Sequence, residues 1–68
     1  MKPRTKQIEG VTYRRFTIRY RLATGERRSM VRWSPGFPWI REEVARELLS
    51  RYDLEDIAPG SVTIAAAR

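Results

Sequence analysis

The chain predicts a small α+β fold, a two-layer sandwich of order β-β-α-β in which one helix covers one face of a three-stranded antiparallel sheet. Three observations carry this. Residues 11–22 and 27–34 alternate polar and apolar side chains with the two-residue period of strands. Residues 38–52 switch to a four-residue recurrence, Ile40, Val44, Leu48 and Tyr52, which belongs to a helix. With 68 residues and no cysteine, there is room for one core and no disulfide to support it.

Residues 1–9 have no apolar period and carry Lys2, Arg4 and Lys6, so they are expected to form a flexible basic arm ahead of a single domain spanning 10–68. Gly10 separates this arm from the first strand, Val11 to Leu22, which is rich in Thr, Tyr, Phe and Ile. Ala23-Thr24-Gly25-Glu26 reads as a turn, with Gly25 supplying a positive φ, and the second strand runs from Arg27 to Ser34. If Thr24 and Gly25 are the two central turn residues, Phe16 faces Trp33 and Ile18 faces Val31 on an apolar side. Arg21 then faces Arg28, and Thr17 faces Arg32, on a polar side. A four-residue loop keeps this parity, whereas a three-residue loop breaks it unless a bulge restores it.

Two prolines and a glycine make Trp33 to Trp39 a loop, and Pro38 suits the first turn of the helix that follows. The helix, Pro38 to Tyr52, places Ala45 and Leu49 beside its apolar stripe and offers two i,i+4 ion pairs, Glu42 with Arg46 and Glu47 with Arg51. Residues 53–60 form an acidic connector ending in a turn, and Ser61 to Ala66 a third strand with Val62 and Ile64 inward. Placing that strand beside the first gives sheet order 2-1-3. The helix covers the apolar side, and the other side is left bare.

Charge is divided as unevenly as polarity. Residues 1–34 hold ten Lys or Arg against two acids, while residues 35–68 hold four against six, within a net charge of +6. Twelve of the fourteen basic residues are Arg, whose planar fork suits phosphate and carboxylate. The outer side of any antiparallel sheet is polar, but it ordinarily mixes both signs. Here Arg15, Arg19, Arg21, Arg28 and Arg32 are expected on one face with Tyr13 and no acid among them. That pattern points to a non-catalytic nucleic-acid-binding domain, for DNA or RNA, with the arginines on phosphates and Tyr13 stacking or hydrogen-bonding. Lys2, Arg4 and Lys6 of the arm would follow the backbone or a minor groove.

The alternative is a protein-interaction module or inhibitor, of the compact kind encoded by phages and mobile elements, docking on an acidic protein surface. Phe37, between Gly36 and Pro38, is the aromatic best placed to anchor such a partner. Catalysis is not expected. The chain has no His and no Cys, and its four serines have no imidazole to act as base. Asp53, Glu55 and Asp56 lack the spacing of a calcium loop, so neither a metal nor a cofactor is expected. No apolar run reaches the ~18–20 residues of a membrane span, and no apolar stretch follows the charged N-terminus. A cytoplasmic protein is expected, monomeric or weakly dimeric through an exposed strand edge.

Overall fold

A computed structural model of the chain describes residues 4–67. Two successive hairpins are followed by a helix and a returning strand: β1 (Thr5–Ile8), β2 (Val11–Arg21), β3 (Arg27–Ser34), α1 (Phe37–Arg51) and β4 (Thr63–Ala66). The long strand β2 is central. β3 pairs antiparallel along one of its edges, and β1 and β4 share the other edge end to end. The change of partner falls at Arg15. Its N–H donates to the Arg4 carbonyl at 2.9 Å, and its carbonyl accepts from the Ala67 N–H at 2.8 Å. Past β4 the connector continues the same edge, with Ala58 N–H donating to Arg21 O (2.9 Å) and Ala23 N–H to Asp56 O (2.7 Å). The α+β sandwich and the 2-1-3 order of the three expected strands are both present, as β3-β2-β4.

β1 corrects the expectation of a flexible arm over residues 1–9. Thr5 to Ile8 pair with Val11 to Arg14, joined by the two-residue loop Glu9-Gly10. Both loop residues have positive φ, 52° and 79°, as a type I′ hairpin turn demands, because its twist matches that of the strands it joins. All four β1 side chains are exposed, so the strand is held by backbone bonds and leaves no apolar pattern to read. Lys2 lies outside the described residues.

The second correction is to register. Leu22 N–H donates to Glu26 O, and Gly25 N–H to Leu22 O, each at 2.8 Å, so the β2–β3 loop has three residues, Ala23-Thr24-Gly25. Gly25 sits at φ 94°, the left-handed residue that closes a turn of this length. The pairing is therefore Phe16↔Arg32, Thr17↔Val31, Ile18↔Met30, Arg19↔Ser29 and Arg21↔Arg27. Relative to the two-residue loop, every β3 side chain changes face. Met30, Arg32 and Ser34 turn toward the helix, while Val31 and Trp33 turn away.

The core lies between β2 and α1. Phe16, Ile18 and Tyr20 from the strand meet Ile40, Val44 and Leu48 from the helix, and Met30, Tyr52, Ile57, Ile64 and Ala66 pack around them. The four-residue stripe is thus the helix's buried face, but Leu49, expected beside it, is 56 % exposed. Ile64 faces inward as expected; Val62, before β4, lies beside Leu48 and Ile57 but keeps 38 % of its surface. The helix ends as Tyr52 turns to extended backbone, and the Tyr52 hydroxyl reaches that of Tyr20 at 3.2 Å. Burial and this hydrogen bond together push the Tyr20 phenol pKa up. Ser34, almost fully buried, donates to Gly36 O at 3.3 Å, where the chain passes from β3 into the helix.

Arg32 ties β3 to the helix. Its Nε donates to Glu47 Oε2 at 2.9 Å, its Nη2 bonds Glu47 Oε1, and its Nη1 donates to the Val31 carbonyl at 2.7 Å. Glu47 also takes Arg51 at 3.0 Å, one of the two expected i,i+4 pairs. Hydrogen bonding from Arg32 holds the Glu47 carboxyl below its ordinary range. The stability from this contact is therefore full above the ordinary carboxylate pKa and is lost as pH falls through the lowered folded-state value. Glu47→Gln is expected to cost about 1 kcal/mol at neutral pH, or roughly 4–8 °C in Tm. Thermal melts should show that gap closing in acid; a gap unchanged with pH would mean that the charge is not what matters.

Candidate nucleic-acid interface

Alternation along the four strands sorts the basic residues into two sets. Facing the helix side, Arg14 has no acid among the described residues, whereas Arg28 and Arg32 each have one: Glu26 at 2.9 Å for Arg28, Glu47 for Arg32. Both guanidinium pKa values are raised, chiefly by those hydrogen bonds. Facing away are Arg15, Arg19 and Arg21 on β2 and Arg27 on β3, with Lys6 on β1 and Arg4 just before it, opposite Arg15. Among the described residues none of these six pairs with a carboxylate, and no acid occupies any position of that face. The helix lies on the opposite side, so none of the described elements covers them.

The expected site is therefore partly reassembled. Tyr13, Arg15, Arg19 and Arg21 stand where the sequence places them. Arg28 and Arg32 do not, because the three-residue loop turns them to the helix side. Arg4 and Lys6 reach the face as part of the sheet, not as an arm. Arg27 and Trp33 are the residues sequence reasoning missed, and the signal for both was Gly25 in the third loop position.

The uncharged positions shape the face. Lys6 Nζ stands 4.5 Å from the centre of the Trp33 ring, reaching over β2 from β1 to β3. Such a contact is worth about 0.5–1 kcal/mol at an exposed site and pins the short edge strand. Tyr13 and Trp33 are half-buried and Val31 is 48 % exposed, so aromatic and apolar surface lies among the cations. From Arg15 to Arg21 the strand rises about 20 Å, with Arg19 between them and Thr17, Val31 and Ser29 as uncharged positions.

Elsewhere, Phe37 keeps 38 % of its surface but packs edge-on against Phe16, ring centres 5.1 Å apart, under Arg41. It closes one end of the core. Trp39, 61 % exposed on the first turn of the helix, is the freer aromatic. The connector acids serve local structure: Asp56 Oδ2 accepts the Asp53 N–H at 3.0 Å across a short 3-10 turn. Among the described residues no helix is long and apolar enough to cross a membrane. No protein-family model matches this chain, and neither does any curated protein or solved structure.

Proposed function

We propose that the protein is a nucleic-acid-binding domain that works through the sheet face its helix leaves bare. The observation that carries this is the sorting of charge: on the helix side two of the three strand arginines are paired with acids, whereas on the open side six basic residues stand together with no acid among them. A face kept only for solubility gains nothing from that segregation, because interspersed acids would relieve its repulsion. A polyphosphate backbone supplies the missing anions. Tyr13 and Trp33 add π-surface for unpaired bases, and Val31 and Thr17 add apolar contact for base edges in a groove.

Counterion release gives the test. If all six cations engage a duplex, log Kobs should fall with log salt at a slope of roughly −5, and somewhat less steeply for a single strand. Fluorescence anisotropy with labelled DNA and RNA oligonucleotides over a salt series measures it. Failure to bind at low salt, or an affinity indifferent to salt, overturns the reading. The aromatic and apolar surface among the cations also favours a second reading, an acidic protein partner, since aromatic and Arg side chains dominate protein hot spots. A partner captured equally well after nuclease treatment would select it.

A further inference from the structure

At the tip of the β2–β3 hairpin lies a shallow cleft of about 540 Å³, lined by Arg19, Arg21, Arg27, Ser29 and Ser61 together with Tyr20 and Arg28, the rung that alternates to the helix side. The volume lies in the range of small-molecule sites, but these walls are mainly guanidinium. The Leu22–Glu26 bond closes the hairpin, so Arg21 and Arg27 form the next rung, a pair without mutual backbone bonds. In such a rung the Cα atoms stand about 4.5 Å apart and the side chains are at their closest. Two like charges directly opposite on one face destabilise a hairpin. Arg19 adds a third on the same face, about 7 Å along β2. Arg28, on the helix side, has an acid, Glu26; among the described residues Arg19, Arg21 and Arg27 have none.

The cations cannot drift apart by loosening the backbone beneath them. Ser61 Oγ accepts the Arg21 N–H and donates to the Arg21 carbonyl, both at 3.2 Å, and Ala58 N–H donates to the same carbonyl at 2.9 Å. The three-residue turn fixes Arg27 from the other side. What relieves a rigid cluster of forked donors is an anion with several acceptor oxygens, and guanidinium geometry matches phosphate in this way. We infer that the hairpin-tip cleft is a phosphate-binding site. Resting on the nucleic-acid reading, it is where a backbone phosphate is anchored, while the Tyr13–Trp33 end takes uncharged parts of the ligand.

The test is the double variant Arg21→Gln/Arg27→Gln, which keeps side-chain length and removes the charge. Tripolyphosphate and a DNA oligonucleotide are titrated separately into variant and wild type, with thermal melts in parallel. The free variant is expected to melt no lower than wild type, because repulsion is gone. Tripolyphosphate should raise the Tm of wild type and not of the variant. The oligonucleotide should bind the variant at least tenfold more weakly, with a salt slope shallower by about 2. Unchanged oligonucleotide affinity and slope in the variant, with binding lost in Lys6→Gln/Arg15→Gln, overturns the cleft and leaves the nucleic-acid reading standing. Wild type that binds tripolyphosphate but no oligonucleotide upholds the cleft as a phosphate site and overturns that reading. An equal rise in Tm with tripolyphosphate for both proteins also overturns the cleft.

Discussion

Phe16→Ala is expected to unfold the protein or leave it barely folded, while Trp33→Ala leaves it folded. Phe16 is fully buried, flanked on β2 by no other large ring on its face nearer than Tyr20, and it meets both Ile40's helix and the Phe37 ring. Removing such a side chain costs about 3–5 kcal/mol, since the cavity is only partly closed by relaxation. Small domains sit near the low end of the usual stability range, about 5 kcal/mol, so this loss approaches the whole. Trp33 loses its contact with Lys6 and some packing over β2, about 1–2 kcal/mol in all. The pair tests the register directly. In the alternative pairing Trp33 would stand opposite Phe16 in the core, and the two substitutions would be equally damaging. Urea unfolding of both variants decides it, with Phe16→Leu as a milder change that stays measurable should the alanine variant not fold.

That alternative pairing was the one the sequence favoured, and the reason lies in β3. Its even positions offer Met30 and Ser34 to a core, and its odd positions offer Val31 and Trp33. Polarity alone prefers the odd set. The loop length decides otherwise, and Thr24-Gly25 is compatible with two loop residues or three. What makes the even set tolerable is the Arg32–Glu47 contact, which joins positions fifteen apart and leaves no trace in local periodicity. β2 was legible because Phe16, Ile18 and Tyr20 alternate with polar residues over a long strand, and the helix because Ile40, Val44 and Leu48 recur every fourth residue. β1 was not, because a strand exposed on both sides carries no alternation at all. For the candidate site, the consequence is a change of members more than of character. Arg28 and Arg32 leave the face, Arg27 and Trp33 join it, and Arg4 and Lys6 arrive on a fixed strand.

That change of members fixes the strongest functional prediction. Arg15→Glu/Arg19→Glu should weaken oligonucleotide binding by about a hundredfold at low salt, with the fold unaffected. Each reversal alters the charge facing a phosphate by two units, and a unit charge pair about 5 Å apart in water is worth about 0.8 kcal/mol. The double reversal thus costs roughly 3 kcal/mol, which corresponds to about two decades in Kd. It should also bring the salt slope from roughly −5 to about −2, because two attractive contacts become two repulsive ones. The control is Arg14→Glu/Arg46→Glu, an equal change in net charge. Arg14 is exposed on the helix side of β2, between Thr5 and Ser34, and Arg46 is exposed on the helix itself. If attraction depended only on the overall positive charge, the two double variants would lose affinity alike. If the open sheet face is the interface, the control keeps most of its affinity and a steep salt slope, and only Arg15→Glu/Arg19→Glu loses both. Equal losses would remove the face from the argument and leave a basic protein with no particular site.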